Sequence, residues 1–202
     1  MRRFLSVVPT LLATAVATAA LMLSAPASYA IPLTFVGHLS GANEVGPVAS
    51  PGTGLATIVL DPTAQTIRII VTFSNLTTND TAAHIHCCMP LGINAGVATV
   101  MPAFPGFPLG ATSGTFDQTF DLTQASFYNP AFDGGTTAAK EATLIAGIEA
   151  GMAYFNIHTV NFPGGEIRSQ LSPVPEPASL VLLASALLGL GLIRRRKPTA
   201  RS

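Results

Sequence analysis

Apolar and polar residues alternate with a period of two through most of the middle of the chain. "LTFVGHLS" (33–40), "TGLATIVL" (53–60) and "TIRIIVTF" (66–73) each alternate like a half-buried strand, with "DPTAQ" as the turn between the second and third. "AAHIHC" (82–87), "SGTFDQTFDL" (113–122), "MAYFNIHT" (152–159) and "GEIRSQL" (165–171) continue the series, punctuated by Gly and Pro. One stretch departs from this period. "TTAAKEATLIAGIEAG" (136–151) is rich in helix formers and sets Leu144, Ile145 and Ile148 on one side, which predicts a helix. "MPAFPGFPLG" (101–110), with three prolines and two glycines, is predicted loop. Seven short strands and one helix predict an all-β fold, an antiparallel sandwich or barrel.

The two ends follow a different pattern. Arg2 and Arg3 precede an uncharged apolar run (11–25) and small residues at Ser28 and Ala30. This predicts a secretory signal peptide over 1–30, removed by signal peptidase. At the other end, "PVPEP" is a stiff, extended spacer before sixteen uncharged, mostly apolar residues (178–193) and the cluster Arg194, Arg195, Arg196, Lys197. As a helix, those sixteen residues reach about 24 Å, short of a ~30 Å hydrocarbon core. Snorkelling arginines narrow that gap, and the basic end is expected to stay cytoplasmic.

This tripartite end resembles the PEP-CTERM sorting signal of bacterial exosortase substrates. Pro175, Glu176 and Pro177 match its motif, followed by the helix and Arg194, Arg195 and Arg196. The resemblance implies recognition by a membrane exosortase, cleavage near the Pro-Glu-Pro, and release or surface attachment in a Gram-negative-type host that makes exopolysaccharide. The expected organisation is a signal peptide (1–30), one domain (31–173) and a sorting signal (174–202). The chain is then exported through the inner membrane, transiently anchored, and left at the cell surface or outside the cell.

Charge sharpens this picture. The formal net charge of zero hides a division: all ten acidic residues lie between Glu44 and Glu176, a stretch whose basic residues are Arg68, Lys140 and Arg168 alone. Such an acidic domain does not favour nucleic acid or other polyanions.

The middle of the chain resembles the CHRD domain, named from chordin and also found in bacteria. "LSGANEVGPVAS", "AAHIH" and "NIHTVNFPGGEIRSQL" carry the resemblance, which covers about Phe35 to Leu171. It implies an immunoglobulin-like or superoxide-dismutase-like β-sandwich, and it gives context more than mechanism. Departures are small: Gly46 stands where proline is usual, Ser169 where glycine is common, and Cys87 and Cys88 where many members have Gly-Pro.

Candidate chemistry centres on "AAHIHCC", which holds two of the four histidines and both cysteines. In a strand, His84 and His86 point to one face, about 6.6–6.8 Å apart along it. That spacing suits two imidazoles converging on Cu or Zn. His158 is on another predicted strand and offers a third nitrogen. Glu166 offers a carboxylate, either as a ligand or behind an imidazole. The competing reading is that these histidines fill polar core positions and bond to backbone or to Glu166. "HIH" is also similar to the copper-ligand strand of copper–zinc superoxide dismutase, but His38 is the one histidine left to add. Adjacent Cys87 and Cys88 leave four options in an oxidising compartment: a vicinal disulfide, free thiols, intermolecular pairing or metal thiolates. A vicinal disulfide or a turn after the strand is expected. Glu44 is placed either with the histidines or at a turn, and Arg168 in a surface ion pair with Glu166 or Glu44. No G-x-S-x-G or HExxH motif occurs. Asp117 and Asp121 lie on one predicted strand without a tryptophan-lined cleft.

Two function classes follow. One is a non-enzymatic structural or binding module of the surface or extracellular polymer matrix, with exopolysaccharide or other matrix components as partners. The other is a Cu- or Zn-binding redox or metalloenzyme domain built on the histidines.

Overall fold

The computed structural model describes residues 32–175 and a few helical residues between 182 and 190. The expected signal peptide lies outside the described residues, as does most of the 178–193 segment. Among the described residues, no helix is long and apolar enough to cross a membrane.

Eight strands follow in chain order: β1 (Leu33–Ser40), β2 (Thr53–Asp61), β3 (Thr66–Ser74), β4 (Asp80–His86), β5 (Gly114–Asp121), β6 (Tyr154–Thr159), β7 (Ile167–Gln170) and the two-residue β8 (Ser172–Pro173). The helix α1 (Thr137–Glu149) falls between β5 and β6. All strand pairings are antiparallel, in the order β4-β6-β7-β1-β2-β3-β5, with β8 beside β1.

Period-two alternation does its work plainly in β2 and β3. Ala56, Ile58 and Leu60 of β2 and Ile67, Ile69 and Val71 of β3 are fully buried. The turn between them is set by Asp61, whose Oδ1 accepts from the amides of Thr63 and Ala64 at 3.0 and 2.9 Å. Two halves meet in this sheet, β4-β6-β7 and β1-β2-β3-β5. Between β7 and β1 the pairing is thin, Ser40 against Arg168, and the sheet as a whole is curled. Curling brings strands from opposite ends of the order onto one core. Phe155 of β6 and Phe116 of β5 both pack on Phe104 and Phe107. Those two phenylalanines come from the proline-rich segment 101–110, which is loop in conformation yet plugs the core. Residues 32–175 thus form a β-sandwich-like fold with one short α-helix.

Local chemistry also sets the ends of α1. Thr136 caps its start, accepting from the Ala139 amide at 3.3 Å. At its end Gly151 takes φ +67, its amide bonds to Ile148 O, and the Met152 amide reaches Gly147 O. This Schellman closure needs a residue free to adopt positive φ. It also explains why β6 begins at Tyr154, two residues after the predicted start: Met152 is still closing the helix. Leu144 and Ile148 are buried as expected, with Ile145 only partly so.

Candidate metal centre

Every side chain of β6 is buried, which one-sided alternation does not require. Phe155 and Ile157 face the core. Tyr154, Asn156 and His158 face the other way, and loops cover them. On β4 a bulge at Thr81 shifts the register between Asp80 and Ala82. Beyond it His84 lies opposite Asn156, His86 opposite Tyr154 and Ala82 opposite His158. The small Ala82 leaves room for the His158 ring to lean toward its diagonal neighbour His84, with ring centroids 4.6 Å apart.

The three imidazoles therefore converge. His84 Nδ1 lies 3.2 Å from His86 Nε2. One ring nitrogen of each of His84, His86 and His158 lies within 4.8 Å of those of the other two. The outward nitrogens are tied to backbone. His86 Nδ1 donates to Ala95 O and His158 Nδ1 to Pro163 O, each at 2.9 Å. Both rings thus carry the proton on Nδ1 and a lone pair on Nε2. Burial pushes all three imidazoles below their ordinary range, His84 to about 3 and His86 to about 4, with proximity to the other rings adding to the shift for His84 and His86. The cluster is neutral at physiological pH.

Tyr154 and Arg168 extend this face. The Tyr154 ring stacks on His86 at 4.7 Å, and the Arg168 guanidinium carbon sits 4.1 Å from its centroid. The Tyr154 hydroxyl accepts from the Ala95 amide and donates to Ala95 O, and Arg168 Nη1 donates to Asn94 Oδ1 at 2.8 Å. Arg168 is 2 % exposed, so the expected surface ion pair is not what it forms. Glu44 is also buried. Its carboxyl is pushed up to about 7 by desolvation, against the partial pull of Arg168. It reaches the cluster's edge through Gly165, whose φ is +127. A Cβ there would come 2.5 Å from Asn156 Nδ2 and 2.7 Å from Glu44 Oε1, so only glycine fits. Beside Glu44 and Arg168 a groove of about 440 Å³ opens to solvent, lined also by Asn43, Leu91 and Gln170.

Glu166 does not join the histidines. Its carboxylate accepts from Ser50 Oγ at 2.6 Å, the Thr77 amide at 2.7 Å, Thr77 Oγ1 at 2.8 Å and Thr159 Oγ1 at 2.6 Å. Thr159 alternates to the opposite side of β6 from His158. Glu166 also precedes β7, which begins at Ile167, so strand alternation does not extend to it. Burial pushes its carboxyl up, and the hydrogen bonds together more than offset that, leaving it below the ordinary carboxylate value. It ties the β2 approach, the β3–β4 link and β6 together at one end of the fold. The supports behind the imidazoles are instead the Ala95 and Pro163 carbonyls, which no side-chain motif signals.

Cys87 and Cys88 are disulfide-bonded to each other. The bridge packs on α1 at Gly147, where any Cβ would collide with both sulfurs. It starts the loop that carries Asn94 and Ala95 over the histidine face. His38 is exposed on β1 and stands apart. Asp117 forms a two-pronged ion pair with Arg68 on the surface, and Asp121 caps its own turn through Thr123, so each carboxylate already has a structural partner.

Comparison with known families now adds to the geometry. Residues 35–171, well over half of the chain, match the CHRD domain.

The chain belongs to the CHRD domain family.

Residues 173–197 match the PEP-CTERM protein-sorting motif, two residues after the CHRD domain ends. That motif marks an exported protein with an exosortase as its processing partner, destined for the cell surface or the extracellular space. Searches of curated proteins and of solved structures found no match.

Proposed function

We propose that this CHRD protein is a non-enzymatic structural or binding module of the cell surface or extracellular polymer matrix. One observation carries the reading: a single CHRD domain runs almost directly into a PEP-CTERM motif. The chain thus delivers a β-sandwich-like domain to the outside. The carboxylates that a hydrolytic reading would use, Asp117 and Asp121, are committed to an ion pair and a turn. In this reading signal peptidase cuts after Ala30, the 178–193 segment holds the protein transiently in the membrane, and exosortase cuts near Pro175–Pro177. Exopolysaccharide or another matrix component is the partner class. Intact-mass analysis of protein from host cells with and without exosortase tests it. The expected product lacks 1–30 and the residues beyond the Pro-Glu-Pro, fractionates with extracellular polymer, and keeps its C-terminus when exosortase is missing. Identical masses from both strains would sink the processing step. A correctly cut protein free of matrix in every fraction would sink the matrix role.

A further inference from the structure

We propose that His84, His86 and His158 form a three-nitrogen centre for one copper or zinc ion. The inference goes beyond the matrix reading and does not depend on it. Four features of the site carry it.

The first is spacing. Metal–nitrogen bonds of ~2.0–2.1 Å set ligand nitrogens of a tetrahedral centre ~3.3 Å apart. His84 Nδ1 and His86 Nε2 stand 3.2 Å apart, and the third nitrogen is within 4.8 Å of both. Closing the set to ligand spacing moves the His158 nitrogen inward by at most ~1.5 Å.

The second is orientation. Histidine ligands characteristically donate their other ring N–H to a carbonyl or carboxylate, which fixes tautomer and ring plane. Ala95 O and Pro163 O do this for His86 and His158.

The third is an orphan. His158 Nε2 is buried with no hydrogen-bond partner. A purely structural cluster accounts for His84 and His86, which face each other, but it leaves this lone pair aimed inward at a cost. Asn156 Oδ1, directly opposite His84 in the register, is buried and unpartnered too. It adds an acceptor on the same face for a water in the ion's fourth position.

The fourth is the donor type. The set is all imidazole, with Glu166 committed elsewhere and the cysteines bonded to each other. Imidazoles alone suit copper and zinc and give magnesium or calcium no oxygen cage.

The test uses the full chain, stripped with chelator, equilibrated with Zn²⁺ or Cu²⁺ and dialysed. About one equivalent per chain should remain by elemental analysis, copper should outcompete zinc, and Mg²⁺ should not compete. The Cu²⁺ electron paramagnetic resonance spectrum should show coupling to several imidazole nitrogens. His84→Ala and His158→Ala should each weaken retention at least ~10-fold. His38→Ala, at the exposed histidine, should leave it unchanged. Wild-type protein that dialyses free of both metals overturns the proposal, as does a copper spectrum without nitrogen coupling. Equal loss in His38→Ala and His158→Ala does the same, because it marks adventitious histidine binding. The wild-type spectrum needs no variant and decides the matter even where a variant fails to fold.

Discussion

Two outward faces of the same sheet are written in similar letters and come out differently. On β3 and β5 the outward residues meet water. Arg68 and Asp117 pair there with half of each side chain exposed. On β4, β6 and β7 the outward residues are His84, His86, Tyr154, Asn156, His158 and Arg168, and all are buried. The first face needs nothing from the rest of the chain, since water solvates whatever the pair leaves unmet. On the second, loops from three places supply Asn94, Ala95, Pro163 and Glu44, and still Glu44 Oε1, Asn156 Oδ1 and His158 Nε2 find no partner. Burying so many polar groups opposes folding unless they are satisfied, and apolar residues of similar size would pack more cheaply. A polar layer kept at that cost, with lone pairs turned inward, is the arrangement expected of a site rather than of a scaffold.

The sharpest way to break this contrast is to remove one arginine from each face. Arg168→Ala strips the cation from Tyr154 and leaves Asn94 and Glu44 without it, so a loss of roughly 3–4 kcal/mol is expected in urea denaturation. Arg68→Ala should leave the denaturation midpoint unmoved within error, because its pair stands in solvent and is screened. Equal effects would abolish the distinction between the two faces.

Next in size is the support under the covering loop. Gly147→Ala forces a methyl into the Cys87–Cys88 bridge and should cost roughly 1–3 kcal/mol. If the bridge anchors the loop over the histidines, the same change should also speed hydrogen exchange at the Ala95 amide, while amides of β3 keep their protection.

Acid supplies a third test. The three imidazoles titrate lower folded than unfolded, so the unfolded chain takes up their protons first, and stability falls as pH drops below about 6.5. Glu44 has the opposite sign. Its folded value is raised to about 7 from 4.5, so its contribution is present at low pH and lost as pH rises through 7. Three groups outweigh one, and the metal-free protein should weaken progressively from about pH 6.5 toward pH 4. The His84→Ala variant should show a shallower acid slope.

The smallest effect belongs to Asp121. Asp121→Asn keeps the turn-capping oxygen that Thr123 uses, and should change the melting curve little.

The order of elements was legible in the chain because local chemistry writes it. Period-two patterns located seven strands within about two residues at each end, and Thr136 and Gly151 bracket the helix with side-chain and backbone rules that act over a few residues. The convergence of His84 and His86 was equally local, since alternation alone puts them on one face, and the reach to His158 came from the expectation of neighbouring strands. The partners behind those rings are a different matter. Ala95 and Pro163 contribute carbonyl oxygens, and every residue has one, so no residue type announces them. Glu166 read as a strand neighbour of Arg168 because the predicted strand began at Gly165, two residues before β7 does, so Glu166 precedes the strand it was placed on. Arg168 read as a surface charge because a sequence shows polarity but not which loop lies over it. The chain by itself determined its strands, its helix, its C-terminal sorting motif and which side chains share a face, for these depend on neighbours within a few positions. Only the tertiary structure decided which polar face is covered and which buried nitrogen is left without a partner, because both depend on where a curled sheet brings distant loops.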